Sequence, residues 1–396
     1  MIRTRTRKII RDIWARKLRT ALVSMSIFIG VLGVVTLISA GDLLITKLEQ
    51  DIQEDELAMT RSTVQLPNLA LAQSVDNAAV LERIAQLEGV TVVEGRAVNE
   101  VNYRKAGAED FETGVLATNF EPFSESQLEP VRLVEGRFPQ NTPDTERIEI
   151  AIDRRFAEAQ DLAIGDVLEL RLLRSTEQPL GDAVEVPTTR DVPVVEAEIV
   201  GIAFQAYGYP ADLGSGDRLM FATFDDSAYV LNSRALTLIY ARYETFEQAE
   251  AGLADFRAAI AETPYFDLFT QAENPAENAQ IEQTRGTNNA LVALAMIALV
   301  VSGFLVVNVL TAIVSEQRRQ IGAMKAIGAN GLDNFYIYAG IAVAYGVIGV
   351  VPGVLLGIPA GYAAAQQLAA QNNTFIDEFS LSWQAVVAGA IIGLLV

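Results

Sequence analysis

Apolar residues gather in a few long uncharged runs, with patterned polar sequence between them. Ala21–Ala40 is twenty residues without a charge, Ala290–Val314 twenty-five and Phe335–Ala365 thirty-one. A hydrocarbon core of about 30 Å takes roughly 20 helical residues, so each of the three is long enough to span a membrane. A fourth run, Leu381–Val396, has sixteen. It reads as a spanning helix cut short, with the expectation that the chain continues past it. The third run would rise about 46 Å as one helix, more than a single hydrocarbon thickness. Pro352 and Pro359 within it are expected to kink or interrupt the helix.

Between the first two runs the period alternates. Leu44, Leu48 and Ile52 recur every four residues, so the first helix is predicted to continue beyond the membrane as a stalk. The stretch NPAENAQIEQTRGTNNA carries no strand pattern and is predicted to return as a second stalk paired with the first. Asp76 offers a helix cap before Val80, Ile84 and Leu87, Gly89 ends that helix, and a β-branched run follows over Val90–Val93. TERIEIAIDRRFAEAQDLAIGDVLELRLL reads as strand, helix, a Gly165-Asp166 turn and strand. DVPVVEAEIVGIAF and LTLIYARY are further strands, and TFEQAEAGLADFRAAIAET is one helix capped by Thr245. FQAYGYPADLGSGD, rich in aromatic, Gly and Pro residues, reads as a mobile loop. The predicted class is an α-helical membrane protein of four transmembrane helices, the last truncated, with a large α+β extracytoplasmic domain of two lobes inserted between helices one and two.

Charge orients this plan. Residues 1–20 hold eight basic side chains against the single acid Asp12, which keeps this end in the cytoplasm by the positive-inside rule and lets it rest on anionic lipid. A signal peptide is the rival reading of the first run, but twenty apolar residues exceed the usual core of roughly 7–15, so an uncleaved anchor is preferred. Residues 41–288 carry 19 basic and 45 acidic side chains, a net of −26, and are placed outside. The resulting division is 1–20 basic cytoplasmic segment, 21–40 helix one, 41–288 extracytoplasmic domain with its stalks and 289–314 helix two. It continues with 315–334 cytoplasmic coupling helix, 335–365 helix three, 366–380 outer loop and 381–396 incomplete helix four. So acidic a surface predicts no nucleic-acid partner.

The chain has no cysteine and no histidine, which argues against disulfides, Cys nucleophiles, His-dependent catalysis and the usual zinc sites. No catalytic, cofactor or metal residues are assigned, and the scattered carboxylates are read as a solvated acidic surface. The four runs hold no ionisable residue, which speaks against an ion-coupled transporter.

Two motifs remain. In SEQRRQIGAMKAIGAN, residues 315–330, Ile321, Met324 and Ile327 are spaced by three and form an apolar ridge, framed by Glu316, Arg318, Arg319 and Lys325, with Gly322 in the helix and Gly328 as a stop. Periodicity alone leaves a partner-docking helix and a plain membrane-surface helix equally open. A phosphate-binding loop is excluded, because five residues separate Gly322 from Gly328 and no Lys-Ser or Lys-Thr follows. In the third run Gly349, Gly353, Gly357 and Gly361 recur every four residues, a smooth face for close helix packing, and Gly389 and Gly393 repeat the spacing.

SEQRRQIGAMKAIGAN followed by a glycine-rich span resembles the FtsX-like permeases, the membrane subunits of MacB-type and lipoprotein-releasing ABC transporters. RKLRTALVSMSIFIGVLGVV is similar to their first-helix entry, and GRFP with EIAIDRRFAEAQDLAIGDVLEL to their extracytoplasmic domain, the MacB-like periplasmic core. The chain departs from them in Glu316-Gln317, Gln320-Ile321-Gly322 and Gly340. The resemblance implies the bacterial cell (inner) membrane and a mechanotransmission mechanism. Segment 315–334 would dock on a dimer of separate cytoplasmic ATPase subunits, which bind ATP and Mg, and the outer domain would move to export or extract a peptide, lipid or lipoprotein. It also implies a second permease unit, as an identical chain, a different one or a second half of a longer chain. The alternative is an FtsX-like signalling module acting on an extracytoplasmic adaptor or cell-wall hydrolase, with AYGYPADL as the contact; membrane lipids surround the spans in either case.

Overall fold

A computed structural model describes residues 14, 17–68, 70–142, 147–172, 193–207, 218–326, 331–372 and 374–395. The chain forms two compact units, one of residues 1–50 and 279–396, the other of residues 51–278. In chain order the elements are α1 (Lys17–Asp51), β1 (Thr60–Gln65), α2 (Asn77–Ala85), β2 (Val90–Lys105), β3 (Glu112–Asn119), β4 (Arg132–Gly136), β5 (Arg147–Asp153), α3 (Arg154–Gln160), β6 (Val167–Arg171) and β7 (Val194–Phe204). They continue with β8 (Leu219–Phe221), α4 (Phe224–Leu231), β9 (Leu238–Tyr243), α5 (Phe246–Ala251), α6 (Leu253–Ala261), β10 (Phe266–Ala272), α7 (Ala279–Glu316), α8 (Arg318–Ala326), α9 (Gly331–Ala369) and α10 (Trp383–Leu395).

The 51–278 unit is built on one ten-stranded mixed sheet ordered β10-β1-β9-β2-β3-β8-β5-β7-β4, with β6 bonded to β2 and β7. The two predicted lobes therefore share a sheet. Two of its apolar clusters lie toward opposite ends of the strand order. One gathers Leu116, Ile148, Ile150, Ile152, Phe156, Leu168 and Ile199 around α3 and α4, the other Val80, Ile84, Ile239, Phe256 and Ile260 around α2, α5 and α6. Asp76 caps α2 by accepting from the Ala79 amide, and Thr245 with Gln248 closes a capping box on α5. The single helix predicted after Thr245 is two helices, because the chain breaks at Gly252, which serves both as C-cap of α5 and N-cap of α6.

In the helical unit the contacts fix direction. Ser26 and Ser302 hydroxyls lie 2.8 Å apart, and Glu49 pairs with Arg285, so positions rising on α1 meet positions falling on α7 and the two run antiparallel. The predicted stalk pairing is this same contact carried to the helix ends. Gly349 lies against Ser24 and Ile27 and Gly361 against Thr36 and Ser39, which makes α9 parallel to α1. Gly393 meets Val31 and Val350 while Gly389 meets Val35 and Val354, so α10 is antiparallel to both. Three helices are long and apolar enough to cross a membrane, and α10 is a shorter apolar helix. At about 1.5 Å per residue the 35 residues of α1 rise roughly 52 Å, some 20 Å more than a hydrocarbon core. The interruption expected at Pro352 and Pro359 does not occur. Helix α9 runs through both prolines for 39 residues; neighbouring helices make interior prolines tolerable in apolar bundles.

Candidate functional site

Three features link the ends of this architecture. The first is α8. Helix α7 ends at Glu316, and the turn at Gln317 is pinned by its buried side chain, whose amide oxygen accepts from the Tyr338 hydroxyl at 2.8 Å. Helix α8 then exposes Arg318, Arg319 and Gly322, as α7 exposes Glu316. A Cβ built on Gly322 would meet nothing within 4 Å, so no contact made by this chain requires glycine there. The backbone carries Ile321, Met324 and Lys325 on the helix, while Ile327 and Gly328 lie outside the described residues. Residues 331–334, expected in the coupling segment, belong to α9 instead. The Gln317–Tyr338 bond had no sequence signal, since its partners sit 21 residues apart on different helices.

The second feature is the glycine stripe. Added Cβ atoms at Gly349, Gly353 and Gly357 would lie 2.8, 3.0 and 2.7 Å from the Cβ atoms of Ile27, Val31 and Val35, and one at Gly361 2.5 Å from that of Ser39. The carbonyl oxygens of Ser24, Phe28, Leu32 and Thr36 stand at 2.7–3.4 Å from the same positions. Both helices thus repeat every four residues, and only hydrogen in place of a side chain allows so close an approach. Ser24 adds a hydrogen bond to the Tyr345 carbonyl at 3.3 Å and Thr36 one to the Gly357 carbonyl at 3.4 Å.

The third feature lies within the 51–278 unit, where the chain enters and leaves it. Strands β1 and β10 pair antiparallel from Thr60↔Ala272 to Gln65↔Phe266, so entry and exit are neighbours. The entry segment 51–59 is bonded throughout. Arg132 donates to the Asp51 carbonyl at 3.1 Å and to Glu56 at 2.7 Å, and Arg242 to the carbonyls of Glu54 and Leu57 at 3.0 and 2.6 Å. Tyr207 donates to Glu56 and accepts from the Gln53 amide at 3.3 Å. Burial and then the bond to Glu56 push its phenol well above the ordinary tyrosine value. Glu129, held at φ 44, accepts from Arg61 at 2.9 Å and from the Ala58 amide at 3.3 Å, and Arg61 also reaches Glu273 at the exit. Sequence reasoning missed this joint, because Arg and Glu scattered over 220 residues look like solvated surface until the sheet assembles them.

Among the described residues no group of three or more His, Cys, Asp or Glu side chains is arranged to hold a metal. Residues 208–217, most of the loop proposed as a partner contact, lie outside the described residues.

Comparison with known proteins gives two family matches. Residues 20–259 match the MacB-like periplasmic core domain and residues 292–396 the C-terminal part of FtsX-like permeases. The macrolide export ATP-binding/permease protein MacB of Rhodospirillum rubrum is 25% identical over 90% of this chain and 52% of its own length. The pyoverdine export ATP-binding/permease protein PvdT of Pseudomonas fluorescens is 23% identical over 97% of this chain and 55% of its own. The chain thus spans about half the length of the curated relatives it matches. The periplasmic region of MacB from Actinobacillus actinomycetemcomitans superposes with a TM-score of 0.33 at 8% identity, over 61% of this chain and 96% of that one. With a core-domain match over more than half its length and the permease match over most of the remainder, the chain belongs to the FtsX-like, MacB-type family of ABC transporter permeases.

Proposed function

We propose that this chain is the force-transmitting permease subunit of an ABC transporter. It crosses a bacterial inner membrane four times with its N-terminus in the cytoplasm, and couples ATP hydrolysis by a separate cytoplasmic ATPase dimer to movement of the outer domain, with no catalytic site of its own. The observation that carries this reading is the placement of α8. It follows α7 and precedes α9, at the end of the helical unit opposite the one where α1 runs out and α7 returns. The alternating helix directions agree with the charge-based orientation, which puts α8 in the cytoplasm and residues 51–278 outside. Parallel, glycine-locked packing of α9 on α1 connects α8 to the helix that leads into the joint at residues 51–59. Exposed Leu294, Ile297, Val301 and Phe304 on α7 suit lipid or a second permease unit. The cargo class is a peptide, lipid or lipoprotein; action on an outer-side hydrolase without transport is the alternative.

The test uses the co-reconstituted partner ATPase. Ile321→Asp and Met324→Asp are expected to abolish its stimulation by this chain while membrane insertion persists. Unchanged stimulation in both variants would remove the docking role of α8. The chain has no native cysteine, so Gly322→Cys gives a single-site label there. Its modification by a membrane-impermeant maleimide only in inside-out vesicles would fix the orientation, and modification only in right-side-out vesicles would reverse it.

A further inference from the structure

Far along the sheet from the joint, the 51–278 unit holds a cavity of about 520 Å³ walled by residues 119–124, 137–141 and 223–225. Ligand cavities of roughly 300–1,000 Å³ typically combine apolar walls with a few polar groups. Here the walls include Phe120, Phe123, Phe138 and Phe224 with Pro122 and Pro139. The rings brace one another: Phe120 is edge-on to Phe224 at 5.1 Å and Phe123 stacks on Phe138 at 5.6 Å. The aromatic box is thus held by its own contacts.

Two observations say what chemistry suits it. Asn119, only 4% exposed, lines the cavity, and neither its amide nitrogen nor its oxygen has a hydrogen-bond partner. A buried amide left unsatisfied is costly, and another amide is the group that meets donor and acceptor together. The second observation is charge. Arg137, the cation in the wall, is neutralised by two bonds to Glu149 at 2.6 and 2.5 Å, and Asp225 is engaged by Arg234 and Asn141. Glu121 is exposed at the rim and forms no ion pair among the described residues, on a domain already strongly acidic. The rim favours a cation and disfavours an anion.

We infer that this cavity binds a short basic peptide segment, with an aromatic or other apolar side chain among the phenylalanines, a backbone amide on Asn119 and a positive charge toward Glu121. The site goes beyond the role as an ATPase-coupled permease and stands or falls separately from it, because binding to this chain alone needs no ATPase.

The experiment is fluorine NMR on the full chain in lipid nanodiscs, titrated with N-acetyl-(4-fluoro)phenylalanyl-arginine amide. The matched peptide ending in glutamate amide serves as the charge control, and empty nanodiscs as the lipid control. The arginine peptide is expected to bind and the glutamate peptide to bind about tenfold more weakly, a difference of about 1.4 kcal/mol. Glu121→Gln, at an exposed site, should weaken the arginine peptide severalfold. Asn119→Leu, close in size, should weaken both peptides while raising the melting temperature, since it removes an unsatisfied buried amide. Equal binding of the two peptides, signals no different from empty nanodiscs at millimolar peptide, or wild-type affinity in both variants would each overturn the assignment.

Discussion

At the residue scale, the glycines separate into those that the packing requires and those that it does not. Gly353→Ala or Gly357→Ala places a methyl group within about 3 Å of Val31 or Val35. Overpacking of this kind typically costs about 1–3 kcal/mol, and a lowered melting temperature of the purified chain reads it. Gly346→Ala is the control; its Cβ would find its nearest neighbour at an ordinary 3.7 Å, and its melting temperature should match the wild type. Arg96 is a sharper case. It is fully buried, 4.6 Å from the Tyr240 ring centre, and is paired with Glu94 at 3.3 Å while donating to the Glu129 carbonyl at 3.2 Å. Removing one member of a buried pair strands the other, so Arg96→Ala should cost about 3–5 kcal/mol, read as a fall in the urea midpoint of the outer unit's unfolding transition. Glu149 gives a pH dependence. The Arg137 hydrogen bonds, helped by the Gln140 amide, hold its carboxyl below the ordinary value. A depressed carboxyl stabilises the fold above the unfolded-state pKa, and that contribution is lost as pH falls through the folded one. Its Arg137 partner is 48% exposed, so the effect is at most about 1 kcal/mol. Glu149→Gln should therefore narrow the gap between melting temperatures at pH 7 and about pH 4.

At the element scale, the joint at residues 51–59 is the part of the outer unit best placed to carry movement from the end of α1 into the sheet. Arg132→Ala removes the bonds to Asp51 and Glu56, and Tyr207→Phe the bond to Glu56 and the acceptor for Gln53. The sheet keeps its apolar clusters in both variants, so faster hydrogen exchange should be confined to residues 51–59, with protection in β5 and β7 unchanged; exchange spreading into those strands would show that these bonds hold the whole unit together. The joint also shows where sequence reading stops. The spans, the glycine spacing and the caps at Asp76 and Thr245 were legible because each depends on neighbours within a turn or two of helix. Strand β1, TRSTVQ, was not legible. Its buried Thr60 and Ser62 are polar, and Ser62 belongs in a core only because Asp267 on β10 accepts its hydroxyl at 3.0 Å. Strand β10 was missed for the converse reason: Phe266, Leu268 and Phe269 are all exposed on it, so no alternation marks a buried face. Gly252 ends one helix and begins another, a choice made by the packing of α5 and α6 against the sheet rather than by the local pattern.

At the scale of the whole molecule, the family membership and the run of helices agree on a chain that carries movement and does no chemistry of its own in the membrane. The proposed route runs from α8 through the parallel α1–α9 pair to residues 51–59. It has bonded or closely packed residues at each described step and no ionisable side chain in the apolar runs. Such a route transmits only if the paired stalks have two arrangements that nucleotide biases. The most direct test is hydrogen exchange over residues 41–59 and 273–288 in the complex reconstituted with its ATPase, nucleotide-free against ATP-trapped, in wild type and in Met324→Asp. A nucleotide-dependent change in wild type that is lost in Met324→Asp, while the ATPase still binds ATP, is the predicted result. No change in wild type, or the same change in the variant, would contradict transmission through α8.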